Sequence, residues 1–313
     1  MQTYRLRISP QSAFGTALLG DTFFGQLCWA IRHRFGENKL AELLETYTYD
    51  APFLVVSNAF PTGHIPLPSL PGQLYFDAVS ASQRKAVKKQ VWLPIEMISQ
   101  PLNQWQTACE TDKQLIDKKN ALQPHNSINR YTGTTGESAF APYTMQQTWY
   151  SQAISLDIYL ILDEQRISGE DIQTCIEDMG VFGYGRDASI GLGKFDVLEM
   201  SGIEMPEQKH ANAYLTLAPC APQGQGFNTS RSYYELFTRF GRHGDMAVQG
   251  AQPFKNPVLM AKAGAVFTPS EATSRQYIGK GLGSNGELSK TIPETVQQGY
   301  APVINFHLPT SVE

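Results

Sequence analysis

The stretch GYGRDASIGLGKF, from Gly183 to Phe195, constrains the fold of this chain more than any other. Ahead of it, SGEDIQTCIEDMG has helical spacing, with Ser168 or Gly169 at its start. Behind it, FDVLEM reads as a strand. A dinucleotide loop leaves a strand and opens a helix, because the pyrophosphate sits on the helix N-terminus. Here the order is inverted, so the G-x-G-x-x-A spacing of Gly183, Gly185 and Ala188 lacks the context that would give it meaning. No Ser or Thr follows Gly193-Lys194, which excludes a P-loop. Two readings stay open. One is a ligand cradle, where missing side chains let backbone N–H groups approach a ligand and Arg186, Lys194 and Ser189 add charge and a hydroxyl. The other is a glycine-rich turn.

Periodicity places the rest of the chain around this loop. Tyr4, Leu6 and Ile8 alternate with Arg5 and Arg7, predicting a strand over 3–8 that ends at Pro10. Phe24, Leu27, Cys28, Ile31 and Phe35 predict a helix capped by Asp21 or Thr22 and stopped at Gly36. ENKLAELLETY predicts a short second helix and FLVVSNAF a strand, which the prolines of PTGHIPLPSLPG should not continue. DAVSASQRKAVKKQ has a polar, helix-compatible pattern. From Trp92 to about Tyr150 the chain is rich in Gln, Asn, Thr and Ser with few apolar clusters, and HNSINRYTGTTGESAFAPYTMQQTWY, too polar to be core, reads as a long hairpin or arm with its tip at TGTTGES. AISLDIYLIL predicts a buried strand. The resulting order suggests an α+β unit of ferredoxin-like type, with helices on one face of a sheet. In the second half NAYLTLA, YELFTRF, PVLMAKAGAVF and APVINFHL predict strands, with GRHGDMAVQGAQPFKN and YIGKGLGSNGELSKT as loops.

Charge and composition exclude several functions. A net charge of -4 argues against a globally basic nucleic-acid binder, yet two basic windows stand in this acidic chain. Within residues 1–34, Arg5, Arg7, Arg32 and Arg34 face only Asp21; within 229–263, Arg231, Arg239, Arg242, Lys255 and Lys262 face Glu235 and Asp245. Cys28, Cys109, Cys175 and Cys220 are far apart and show no metal-ligand spacing, so buried reduced thiols are expected. No segment approaches the ~20 apolar residues of a membrane span, and the charged N-terminus is not a signal peptide, so a cytoplasmic protein is expected. There is no G-x-S-x-G, H-E-x-x-H or two-metal acidic cluster. His33, between Arg32 and Arg34 on the polar side of the first helix, is the one candidate general base, for metal-free RNA cleavage. Tyr131 beside Arg130, and Phe240 beside Arg239, are candidates to stack bases, although Phe240 in a strand is more often core.

The combination of GDTFFGQLCWAI, GYGRDASIGLGKF and YELFTRFGRHG…PFKNPVLMAKAGAVF…GYAPV resembles the RAMP superfamily of CRISPR-associated proteins. More narrowly, it resembles the subunit of type III-A effector complexes that caps the 5′ tag of the guide RNA. The resemblance implies two ferredoxin-like (RRM-like) domains. The first, over residues 1–205, would carry a β-hairpin thumb inserted at about 77–150 and the glycine-rich loop at 183–195. The second, β-rich, would span 206–313. It implies binding of the guide RNA 5′ tag, with target RNA near the thumb. It implies contacts with the large polymerase-like subunit and an adjacent RAMP backbone subunit. No catalysis and no cofactor are expected. The RNA-binding positions would be Gly183, Gly185, Arg186, Ser189, Gly191, Gly193 and Lys194 of the loop, with Thr16, Asp21 and Thr22 beside it. Arg130 and Tyr131 would lie on the thumb, and Arg239, His243 and Lys255 in the second half. The RRM aromatic strand motif is missing, so loops and backbone groups would hold the RNA. Two alternatives from other classes are a metal-independent endoribonuclease using His33, and a nucleotide-dependent enzyme using the glycine loop.

Overall fold

The computed structural model of the chain describes residues 1–75, 84–136, 140–151, 153–249, 252–271 and 273–309. The chain opens with β1 (Gln2–Pro10), α1 (Gly20–Phe35), α2 (Glu37–Leu44), β2 (Leu54–Val56) and β3 (Phe60–Pro61). An insertion follows: β4 (His64–Pro66), α3 (Arg84–Val87), β5 (Gln90–Pro94), α4 (Trp105–Ala108), β6 (Glu110–Thr111), α5 (Asp112–Leu115), β7 (Lys119–His125) and β8 (Tyr143–Trp149). β9 (Leu156–Leu162), α6 (Gly169–Phe182) and β10 (Phe195–Gly202) complete the first half. Residues 76–83, which include the start of the expected polar helix, and 137–139, which include the end of the expected hairpin tip, lie outside the described residues.

The first sheet runs β10-β1-β9-β2, with β3 also on β9, and every pair is antiparallel. β9 is buried at all seven positions, as a central strand covered on both faces must be. Leu6, Ile8, Leu156, Ile158, Leu160 and Leu162 share one core with Phe23, Phe24, Leu27 and Ile31 of α1 and Ile172, Cys175, Ile176 and Met179 of α6. The two helices therefore lie on one face, where helical spacing put them. α6 is capped as expected: the Ser168 hydroxyl accepts the Asp171 N–H at 3.1 Å.

α1 is not. Its N-cap is Leu19, which offers no side-chain bond, and neither Asp21 nor Thr22 caps it. Asn58, in the turn after β2, instead accepts the Gly20 N–H at 2.8 Å. A side-chain cap is worth about 1 kcal/mol, whereas each fully buried Phe, Leu or Ile contributes about 1.5–3 kcal/mol. The four buried apolar side chains of α1 position the helix, and Asp21 is released for another contact.

The prolines after β3 do not end pairing. β4 pairs with β5 in a β4-β5-β6 sheet, where it is an edge strand, the position that tolerates proline. The segment after Trp92, which shows few apolar clusters in sequence, contributes to the core. Leu93, Ile98, Leu102, Trp105 and Cys109 are buried against Leu215, Leu217, Val266, Ile304 and Phe306 of the second half, and against Tyr159 on the far face of β9. The part of the insertion that stands off is the β7–β8 hairpin, paired from Lys119↔Trp149 to His125↔Tyr143.

The second half contains β11 (Ala213–Thr216), β12 (Leu236–Arg239), β13 (Val258–Ala261), β14 (Val266–Phe267), β15 (Tyr277–Gly279), β16 (Leu282–Gly283), β17 (Val296–Gln297) and β18 (Tyr300–Phe306). Its main sheet runs β14-β11-β18-β15, with β12–β13 and β16–β17 as separate ribbons. PVLMAKAGAVF, expected as one strand, is split into β13 and β14 by a turn at Gly264 (φ +87°), and YIGKGLGSNGELSKT begins with two short strands rather than a loop. Among the described residues no α-helix lies beyond Phe182, only 3-10 turns. The β-rich ferredoxin-like unit expected over 206–313 therefore shows strands without α-helices among the described residues, and its sheet buries its core against the insertion. The halves are also stitched by Gln298, whose side chain accepts the Val56 N–H and donates to the Val56 carbonyl, both at 2.8 Å.

Among the described residues no helix is long and apolar enough to cross a membrane. Cys109, Cys175 and Cys220 are buried free thiols and Cys28 is half-buried; burial pushes all four up to about 12.

Candidate nucleic-acid interface

The glycine-rich loop is built on Tyr184, which lies between two of its glycines and is fully buried. Its ring packs against Phe23 at 5.8 Å and Phe14 at 6.3 Å, and its hydroxyl donates to the Ala17 carbonyl at 2.9 Å. Gly183 ends α6 at φ +101°, and Gly193 lies opposite Tyr184, whose N–H donates to the Gly193 carbonyl at 2.9 Å. Sequence reasoning missed Tyr184. The signal was present: an aromatic flanked by glycines is a ring that needs cover and a backbone that must approach closely.

The glycines serve the protein before any ligand. A Cβ on Gly183 would lie 2.4 Å from the Leu192 carbonyl, one on Gly185 2.5 Å from Thr16, and one on Gly193 2.1 Å from the Tyr184 carbonyl. Most backbone N–H groups of the loop are committed, among them Gly183 to Met179, Gly185 to the Gln26 side chain, Arg186 to the Thr16 hydroxyl at 2.9 Å, Gly193 to Ala13 and Lys194 to the Ser12 hydroxyl. Of the loop's four glycines only Gly191 has nothing near its Cβ position, although its N–H too is bonded, to the Ala188 carbonyl at 3.0 Å. The loop thus clasps residues 11–17 and the first turns of α1. Thr16 is half-buried within the clasp and acts as an acceptor there, while Thr22 is half-buried in the first turn of α1.

The same segment meets the base of the hairpin. Phe14 and Thr148 of β8 exchange backbone hydrogen bonds at 2.9 Å each. Arg186 spans the junction: it pairs with Asp187 at 3.2 Å and donates to the Gln146 carbonyl at 2.5 Å. Its guanidinium is a strut between loop and hairpin. Ser189 and Lys194 are the predicted loop side chains that point outward. Arg130 and Tyr131 are exposed beyond the paired hairpin, and the Tyr131 ring has no cover at all. The five steps of strand from Thr148 to Tyr143 already carry the hairpin about 17 Å along its length before it reaches them. Loop, residues 11–17 and hairpin base form one surface; the hairpin end is a separate reach from it.

Residues expected to bind in the second half are turned inward. Arg239 holds Asp21 bidentately, Nε to Oδ2 at 2.6 Å and Nη2 to Oδ1 at 2.7 Å, and Asp21 is only 6% exposed. Burial pushes the Asp21 carboxyl up and the guanidinium opposes that shift. Both side chains are consumed by each other, so neither is an open RNA contact. His243 is buried and bonded to the Ser289 hydroxyl at 2.8 Å. Lys255 lies behind the same ribbon near Cys28 and Asp21, and burial lowers its pKa.

Burial also holds His243 below its ordinary 6.5, with Lys255 adding to the effect. The unfolded chain then takes up a proton below pH 6.5 that the folded chain refuses. This contribution to stability is complete above 6.5 and is lost as the pH falls toward the lower folded value. Thermal midpoints at about pH 7.5 and 5.5 should show a smaller acid loss in His243→Gln than in the parent. Equal losses would show that His243 charges freely in the fold.

His33 has a partner that the sequence did not reveal: its Nε2 pairs with the Asp245 carboxylate, and the imidazole is 63% exposed.

No protein-family model matches the chain, and no curated protein matches it in sequence. Solved structures do match it in fold. A chain of a Csm1–Csm4 cassette crystallised with cA4 aligns at TM-score 0.63 and 13% identity, over 99% of this chain and all of that one. One from the cassette with pppApA aligns at 0.61 and 12%, over the same shares. One from a Csm3–Csm4 subcomplex of a type III-A CRISPR–Cas interference complex aligns at 0.55 and 12%, over 98% and 100%. The chain shares the fold of a subunit of these Csm1–Csm4 and Csm3–Csm4 assemblies.

Proposed function

We propose that this chain is a non-catalytic RNA-binding subunit of a type III CRISPR effector complex. It would cap the 5′ tag of the guide RNA and bridge a large polymerase-like subunit to the backbone subunits. The observation that carries this reading is the match to Csm4 chains along nearly the whole length, in structures named for Csm1 and Csm3 partners. The first sheet supports it at the level of topology, because β1-α1-β2-β9-α6-β10 with order β10-β1-β9-β2 is the path of a ferredoxin-like unit. The site supports it as well. Ser189 and Lys194 flank an open Gly191 on a surface continuous with the hairpin base, and the hairpin end offers Arg130 and Tyr131 as a thumb.

The test is co-expression with the neighbouring genes, purification through this chain and sequencing of the bound RNA. Guide RNAs sharing one 5′ end and co-purifying protein subunits are expected. Lys194→Ala should weaken RNA retention, since a charge-assisted phosphate contact is worth about 1.5–3 kcal/mol. Replacing residues 127–140 with a short Gly-Ser linker should preserve folding and tag binding but disturb assembly with the adjacent subunit or the spacing of target cleavage. Recovery of the chain with neither RNA nor partners would refute the reading.

A second reading rests on the His33–Asp245 pair, since a carboxylate that orients an imidazole suits a general base. An endoribonuclease would cleave repeat RNA and lose that activity in His33→Ala; the non-catalytic subunit cleaves none.

A further inference from the structure

β12 and β13, extended by residues 240–242 and 254–257, form a ribbon whose two faces differ in chemistry. Leu236↔Ala261 through Arg239↔Val258 are paired, and the ribbon continues through the bridge Arg242↔Phe254. Side chains alternate along such a ribbon. Arg239, His243 and Lys255 face inward, to Asp21, Ser289 and the Cys28 region. Phe240, Arg242 and Phe254 face outward, with Phe240 74% and Phe254 68% exposed. The Arg242 guanidinium stands over the Phe254 ring at 5.7 Å, and among the described residues it makes no ion pair. The ribbon lies against α1, where the Trp29 indole meets Gly244 so closely that a Cβ there would be 2.7 Å away. Arg32 covers the Trp29 ring at 5.1 Å.

Two largely exposed rings, one of them under the Arg242 guanidinium, lie in one of the two basic windows of an otherwise acidic chain. Rings that face water gain nothing for folding. An aromatic face beside an unpaired arginine fits a polyanion that carries flat, unpaired bases. We propose that Phe240, Arg242 and Phe254 form a stacking platform for single-stranded RNA, two bases lying on the rings and a phosphate on Arg242. The platform is separate from the glycine-rich loop and rests on the reading of the chain as an RNA-binding subunit. It places a second strand contact on the second half, whose sheet lacks the RRM aromatic strand.

The experiment uses the purified full chain with fluorescently labelled oligouridine, single-stranded and annealed to its complement. The parent should bind the single strand more tightly, because pairing hides the base faces. Phe240→Ala and Phe254→Ala should each cost about tenfold in affinity with an unchanged salt slope, and Phe254→Trp should restore binding. Arg242→Ala should reduce the slope of log affinity against log salt by about 0.7. All three side chains are exposed, so unchanged thermal midpoints serve as the folding control. Affinities of all variants within twofold of the parent overturn the platform, as does a parent that binds no oligouridine. Loss of co-purifying proteins in the Phe240→Ala, Phe254→Ala double variant, with RNA affinity kept, overturns it in favour of a protein-docking face. Retention of guide RNA by the co-expressed complex is read separately, so the platform can fail while the proposed function stands.

Discussion

Asp21→Ala should destabilise the chain by about 3–5 kcal/mol, because it leaves the Arg239 guanidinium half-buried and without its carboxylate. The pair joins residues 218 positions apart, one on the first turn of α1 and one on β12. Arg239 also lies over Phe237 at 5.1 Å, so the cation is enclosed rather than free to swing into water. The reverse change, Arg239→Met, should be as costly, since it strands a carboxylate that burial already disfavours. The double variant Asp21→Ala, Arg239→Met should recover much of the loss, as no charge is then left unpaired. Denaturant midpoints for the four proteins decide it. Additive losses would mean that the two side chains act separately. The same variants distinguish this role from RNA contact: a structural pair changes the midpoint of the RNA-free chain, whereas a ligand contact does not.

Gly193→Ala should cost about 2–5 kcal/mol and loosen the glycine-rich loop, the combined effect of a left-handed backbone and an overpacked site. Gly193 has φ +72°, and its new Cβ would lie 2.1 Å from the Tyr184 carbonyl and 2.5 Å from the Tyr184 nitrogen. Backbone atoms cannot rotate away, so Tyr184 must shift, and with it the cover over Phe14 and Phe23. Gly191→Ala offers the control: its φ is similarly positive at +98°, yet nothing lies near its Cβ position. It should cost only the backbone term, about 1–2 kcal/mol. Thermal melts of the two variants, with RNA retention by the co-expressed complex, test the contrast. Equal losses would place the cost in backbone conformation alone.

Gly185 shows how the two meanings of a glycine-rich loop separate. From its sequence, Gly185→Val should block the approach of a ligand. In the fold the added side chain would strike Thr16 at 2.5 Å, so the substitution breaks the clasp between loop and residues 11–17 before any ligand arrives. Arg186 behaves likewise: its charge suggested phosphate, and its geometry makes it a strut to Gln146.

The elements legible in the sequence are those with a local period. The alternation in β1, the three- and four-residue spacing in α1 and α6, and the unbroken apolar run of β9 are each set by side chains meeting one surface, so residues within a few positions of each other suffice. The helix-before-strand setting of the glycine-rich loop is equally local, and it was enough to exclude a dinucleotide fold. What the tertiary structure alone decided depends on partners far along the chain. Residues 93–109 look polar because their apolar side chains are spaced for a niche between two sheets rather than for one face of a regular element. Asp21 has the residue type of a helix cap and becomes half of a buried ion pair, because Asn58 reaches the helix end first. Phe240 reads as core from its strand and stands in water, because alternation sets only that neighbours point to opposite sides of the ribbon. Which side is inside is chosen by α1 lying against Arg239 and Lys255 and by Ser289 meeting His243, contacts that no local pattern encodes.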